Sequence, residues 1–160
     1  MTQRINYMEQ SPELFKKFLE FNNTVKQASS IEESLRELVA LRASQINGCG
    51  FCVDMHVKVA RMHGERELRL HHVAIWREST LFAPRERAAL AWTEALTTLA
   101  PLGVPAELYD RVRGQLSEKE LSDLTFEIMA INAWNRVNVA FTMVPGSYDA
   151  AFGLNKAGLA

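Results

Sequence analysis

Two thiols three residues apart, with an imidazole four residues beyond the second, are the groups of this chain best suited to chemistry. The stretch QINGCGFCVDMHVKVARMHG, residues 45 to 64, holds the chain's two cysteines, Cys49 and Cys52, and two of its four histidines, His56 and His63. At about 100° per residue on a helix, Cys49, Cys52, His56, Ala60 and His63 fall within about 80° of one another and so share a face. A thiolate rather than a thiol attacks peroxides and disulfides. A helix N-terminus, a partner cysteine and a histidine each lower a thiol pKa from about 8.5 towards a range of about 3.5–7.5. All three features coincide at this turn. His56 is placed to act as a base or proton relay for Cys52, and Cys49, at the more exposed entrance of the helix, can pair with Cys52.

Other readings of the same residues stay open. Cysteine is among the most buried residue types, and a histidine on an apolar face is often a core residue, which would make the cluster structural. Cys49, Cys52 and His56 could also supply three zinc ligands with a carboxylate as the fourth, although no second CxxC and no HxxxH completes such a site. Haem attachment needs a histidine directly after the second cysteine, and Val53 stands there. The favoured reading is a redox-active dithiol with no metal and no cofactor. The alternative is a non-enzymatic helical oligomer with a redox-sensing or zinc-binding cysteine pair.

These residues need a helix under them, and the whole chain reads as helical. Nearly every segment between Gly or Pro punctuation has helical spacing, and alternating strand-like runs with hairpin turns are absent. Ser11 and Pro12 open a first helix, as N-cap and first position, with Leu14, Phe15, Phe18, Leu19, Asn22 and Val25 as an inward stripe. Ser30 and Glu33 make a capping box for a second helix, whose apolar positions run from Ile31 to Ile46 before Asn47 and Gly48 break it. The cysteine helix runs from there to Gly64, which suits a position of positive φ. On its far side Asp54 and Lys58, four apart, form a solvated ion pair. A shorter helical piece follows in ERELRLHHVAIWRES, Pro84 launches another through RERAALAWTEALTTLA, and a short one surrounds AELYDRVRG. Ser117 and Glu120 then cap the longest helix, LSDLTFEIMAINAWNRVNVAFTM, which Pro145 and Gly146 end. The tail NKAGLA is expected to fray. The expectation is an all-α, single-domain bundle of about six to seven helices spanning residues 1–160, with a core at about 14–146.

Composition narrows the function further. The chain has 160 residues, 48% of them hydrophobic and 23% charged, and a net charge of −1. It is apolar enough to build a packed core and carries no cationic field to gather nucleic acid. Neither a membrane-length apolar run nor an apolar leader segment is present, so a cytoplasmic location is expected. In a reducing compartment two neighbouring thiols seldom serve as a structural staple, which favours reactivity. Of the remaining candidates, His63 reads as a packing or interface residue, and His71 and His72 point about 100° apart and read as bystanders. Trp76, Trp92 and Trp134 read as core or subunit contacts. Asn132 and Asn135 interrupt an apolar helix and need partners, with a subunit boundary as one source. Glu37 lies about 200° around its helix from Leu35. That position alone says solvated carboxylate, but apolar Ala40 and Leu41 beside it allow a helix buried on two sides.

Glu37, eleven intervening residues, Cys49, Cys52 and His56 reproduce the E-x11-C-x2-C-x3-H pattern of alkyl hydroperoxidase D-like proteins, within the wider carboxymuconolactone decarboxylase family. The segments LRASQINGCGFCVDMH, RERAALAWTEALT and NAWNR resemble that group as well, so the likeness covers roughly residues 14 to 146. The resemblance implies an all-helical fold assembled as trimers or hexamers. It also implies a thiol-dependent peroxidase or disulfide oxidoreductase that reduces alkyl hydroperoxides or relays electrons from an external dithiol or lipoyl-type reductant to a peroxiredoxin. By the same resemblance Cys52 is the activated thiolate, Cys49 its disulfide partner, His56 the nearby base and Glu37 a proton-relay carboxylate. The better-studied peroxidase members carry a second relay histidine just before the second cysteine, where this chain has Phe51, so the relay is shortened. Members that decarboxylate a lactone lack the cysteine pair, so that activity is not implied.

Overall fold

The computed structural model describes residues 2–159 and contains helices and turns without strands among them. In chain order the helices are α1 (Tyr7–Gln10), α2 (Pro12–Ala28), α3 (Glu33–Ile46), α4 (Gly50–Met62), α5 (Glu67–His72), α6 (Pro84–Thr97), α7 (Ala106–Arg113), α8 (Glu118–Ala140) and α9 (Asp149–Phe152). Single 3₁₀ turns follow α5 at Val73–Ile75 and α9 at Leu154–Ala157. The seven helices expected from the sequence are all present. The single-turn helices α1 and α9 were not anticipated, because four residues carry too little periodicity to register.

Helix α3 is the axis of the fold and packs against α4, α6 and α8. Two apolar stripes make this possible. Leu35 and Val39 pack into a core with Ala89 and Trp92 of α6 and Leu124 and Ile128 of α8. Leu38 and Leu41, on the other side, pack with Ala60 of α4, Leu90 of α6, Val73 and Trp76. A helix buried on two sides leaves little solvated surface for its remaining positions, and this is what takes Glu37 out of water, to 7% exposure.

Local sequence signals decide most boundaries. Ser117 Oγ accepts from the Glu120 N–H at 3.2 Å and Glu120 Oε2 from the Ser117 N–H at 2.7 Å, the reciprocal cap expected for α8. Pro84 opens α6, where Glu86 accepts from the Ala83 N–H at 2.7 Å. The cap expected at Ser30 does not form. Its N–H and hydroxyl both donate to Asp123 of α8, at 2.8 and 2.6 Å, and α3 begins at Glu33 instead. A charged acceptor from a distant helix outcompetes the local cap. Helix α8 stops at Ala140, short of the expected Met143 and Pro145, because Thr142 turns to φ +51° and the Met143 N–H returns to Asn138 O at 3.0 Å.

One expectation for the chain ends is corrected. Helix α2 buries no residue fully, and Leu14, placed on its inward stripe, is 73% exposed. The 3₁₀ turn after α9 lies back on α4 with Leu154 buried, whereas in the tail that follows Asn155, Lys156, Gly158 and Leu159 are exposed, and Ala160 lies outside the described residues. Lys58 holds this arrangement by donating to Asp54 at 2.8 Å and to Asp149 of α9 at 2.7 Å, and Asp54 also accepts from the Gly146 N–H at 3.1 Å. The Asp54 and Lys58 pair is therefore not solvated. Lys58 is buried under the returning tail, which sequence spacing within α4 could not foresee. No described helix is long and apolar enough to cross a membrane.

Candidate active site

Helix α4 starts where the sequence placed the thiols. Gly48, at φ +68°, turns the chain out of α3, the Cys49 N–H donates back to Ser44 O at 3.0 Å, and Cys49 becomes the N-cap of α4. Its Sγ accepts from the Cys52 backbone N–H at 3.3 Å, so this sulfur sits where free helix N–H groups favour negative charge. Cys49 and Cys52 are joined as a disulfide with their Cα atoms 5.3 Å apart. Both residues are 1% exposed, which corrects the expectation that Cys49 is the more exposed of the two. The chain after α8 covers the helix start, with Met143 packed on the cysteines and the Pro145 ring against Gly50. Cys52 lines the adjoining cavity and Cys49 does not.

His56 lies one turn along α4, and its Nδ1 is 2.6 Å from Glu37 Oε2 of α3. Burial pushes the Glu37 carboxyl up, but the His56 charge and hydrogen bond, with Lys26 and His63 farther off, outweigh it and hold the carboxyl below its ordinary value. Glu37 is thus a carboxylate that accepts from Nδ1–H, which leaves Nε2 as the ring nitrogen available for proton exchange. That Nε2 is buried and has no hydrogen-bond partner. The structure brings His56 to Glu37 rather than to the sulfur: no hydrogen bond joins His56 and Cys52, and Cys52 Sγ accepts instead from Asn138 Nδ2 of α8 at 3.4 Å.

The cavity holds about 560 Å³ and is walled by apolar and aromatic side chains from the N-terminal helices, α4, α8 and the tail. Tyr7, Met8, Phe15, Phe51, Met55, Trp134 and Tyr148 line it together with Cys52, His56 and Glu37. Phe51, at the position of the second relay histidine, makes an edge contact with Tyr148, their centroids 6.1 Å apart. Toward the far end of α8 the wall turns polar, where Arg36 stands 3.4 Å from Glu127. Burial, opposed by Arg36, raises the Glu127 carboxyl above its ordinary value.

Of the other sequence candidates, His63 is exposed and 3.6 Å from Glu33, His71 is exposed beside Glu67, and His72 contacts Ser79 at 3.0 Å. Trp76 and Trp92 are core residues, whereas Trp134 stands in the cavity wall against Phe18, with centroids 4.3 Å apart. Asn132 and Asn135 find their partners within the chain: Asn47 Nδ2 donates to both at 2.9 Å, and their own amides donate to Thr97 and Ser44. Asn138, which sequence reading passed over, continues their three-residue spacing along α8, a signal that was present in the chain. Tyr7 gave none. Among the described residues no group of three or more His, Cys, Asp or Glu side chains could hold a metal ion.

Comparison with known proteins agrees with this architecture. Residues 12–95 match the model of the carboxymuconolactone decarboxylase family. The uncharacterized protein YdfG of Bacillus subtilis is 43% identical over 140 residues, covering 88% of this chain and 95% of that protein. A crystal structure from Agrobacterium tumefaciens, of a protein of unknown function described as a putative antioxidant defence protein AhpD, superposes with a TM-score of 0.86. It is 41% identical, over 90% of this chain and 98% of that one. The debrominase Bmp8 shares the fold at a TM-score of 0.78 and 21% identity, over 94% of this chain and 80% of its own. The matched segment, the relatives and the shared all-helical architecture make this chain an AhpD-like member of the carboxymuconolactone decarboxylase family.

Proposed function

We propose that the protein is a thiol-dependent peroxidase or disulfide oxidoreductase in which Cys52 is the attacking sulfur, Cys49 its resolving partner, and His56 with Glu37 the proton relay. The observation that carries this reading is one cysteine of a bonded pair opening onto a 560 Å³ apolar cavity that also holds a carboxylate-oriented imidazole. In the reduced protein His56 Nε2 takes the Cys52 proton, and the thiolate attacks the peroxide. An S–O bond forms, the O–O bond breaks, and the departing alkoxide takes the proton back to leave as an alcohol. Cys49 then attacks the Cys52 sulfenic acid, forming the S–S bond and releasing water, so two thiols supply the two electrons that reduce the peroxide.

The cycle closes with an external dithiol, of lipoyl type or another. Its thiolate reaches Cys52 through the cavity, and Cys49 leaves as a thiolate stabilised at the N-cap. The second donor thiol then displaces Cys52 and carries the disulfide away. A peroxiredoxin disulfide can replace the peroxide as the electron acceptor in the same scheme. The role belongs to a cytoplasmic homo-oligomer, trimer or hexamer. With tert-butyl hydroperoxide and dithiothreitol, the wild type should turn over and Cys52→Ser should not. Full peroxide consumption by Cys52→Ser contradicts the assignment.

A further inference from the structure

We propose that the side-chain amide of Asn138 is a catalytic hydrogen-bond donor to the Cys52 sulfur and that the Tyr7 hydroxyl aims it. The inference rests on the reading of Cys52 as the reacting sulfur and adds a group that supports its charge. Asn138 is 4% exposed, its Nδ2 donates to Cys52 Sγ at 3.4 Å, and its Oδ1 accepts from the Tyr7 hydroxyl at 3.1 Å. The phenol fixes which end of the amide meets the sulfur. A donor already occupies Oδ1, so the NH₂ group is the end left for Cys52. Burial, with Tyr148 nearby, pushes the Tyr7 phenol up to about 12, so it stays protonated and donating at neutral pH. Tyr7 is itself held in place by stacking on Phe141 with centroids 6.0 Å apart and by the Arg4 N–H bonded to Phe141 O at 2.9 Å.

The bond grows stronger when the site is reduced. A disulfide sulfur is a weak acceptor, whereas a thiolate carries a full charge, and hydrogen bonds to ionised acceptors are roughly twice as strong as neutral ones. Asn138 therefore stabilises the reduced, ionised Cys52 more than the disulfide. That lowers the thiol pKa and makes the couple more oxidising.

The ionisable groups around Cys52 leave this amide a distinct role. From α4 and α3 come His56 and, through it, Glu37; from α1 and the tail come the phenols of Tyr7 and Tyr148. Glu33 lies one turn before Glu37 on α3, and Lys26, Arg36 and Glu127 meet at the polar end of the cavity, about 16 Å along α8 from Asn138. Among the described residues the Asn138 amide is the donor bonded to the Cys52 sulfur, since the Cys52 N–H donates to Cys49 Sγ instead.

The test is the pH profile of Cys52 alkylation by iodoacetamide in the reduced protein, read by peptide mass spectrometry so that Cys49 is counted separately. Asn138→Leu should raise the Cys52 midpoint by about one unit, a tenfold loss of thiolate near neutrality. It should also make the couple more reducing by the matching tenfold, ~30 mV for two electrons. Tyr7→Phe, which keeps the ring and frees the amide to flip, should move both readings the same way by about threefold and carries the test if the buried leucine variant does not fold. A Cys52 profile unchanged in the folded variants overturns the proposal, and a shift in Asn138→Leu without one in Tyr7→Phe overturns the role of Tyr7. Neither reading uses a peroxide. A wild type that ignores peroxide would thus defeat the peroxidase reading above while leaving the support of the Cys52 charge by Asn138 intact, and an unshifted profile would do the reverse.

Discussion

At the scale of single residues, the buried contact between Glu37 and His56 does for the imidazole what neither residue does alone. The carboxylate selects the tautomer with a free Nε2 and balances the charge when that nitrogen takes a proton. Glu37→Gln keeps the shape and loses the charge, and we expect peroxide turnover to fall roughly 10²-fold, in line with the worth of positioned acid–base groups. Disulfide formation by a chemical oxidant should persist, which a rate assay beside thiol titration would show. The Glu37 carboxyl is held below its ordinary 4.5. Its contribution to stability is therefore complete above that pH and lost as pH falls through the lower folded value. Carboxyl carbon NMR should give a midpoint below 4.5, with the urea midpoint declining over the same range; a carboxyl titrating above 4.5 would break the pairing with His56. Sequence spacing found Cys49, Cys52 and His56 because all three lie on one short helix. Glu37 was ambiguous, since its burial depends on what α8 and α4 place against α3. Tyr7 was invisible, because its link to Asn138 spans 131 positions.

At the scale of elements, α4 carries Cys52 and His56, and the chain after α8 closes over its start. Lys58 points away from the thiol face, yet it clamps α9 by way of Asp149, and α9 and the following turn supply Ala151, Phe152 and Leu154 to the cavity wall. Asp149→Asn should cost about 1 kcal/mol in urea unfolding, less than the loss of a fully buried partner because Asp149 is partly open to water. The same variant should speed limited proteolysis after residue 146, and a tail as resistant as in the wild type would contradict the clamp. Ser117→Ala should cost about 1 kcal/mol as well, through the lost cap of α8. Helix identities were legible because caps, prolines and glycines act locally. Ser30 failed as a cap because a charged partner far away in sequence, Asp123, overrode the local preference.

At the scale of the whole molecule, several large apolar side chains stand at the surface, Leu14 and Leu19 of α2 and Phe126, Met129 and Val139 of α8 among them, and the assembly proposed above would give such residues a partner. Light scattering on the purified protein should give three or six times the chain mass of 18.1 kDa, and a monomer at micromolar concentration would refute that assembly. The redox reading stands or falls on the reduction potential of the Cys49 and Cys52 couple, measured by equilibration with glutathione or dithiothreitol buffers. An N-cap sulfur and an amide donor to its partner both favour the reduced, ionised state, so we expect a value near or above the ~−270 mV of thioredoxin. A couple well below ~−300 mV, as structural disulfides show, would contradict a catalytic role for this pair.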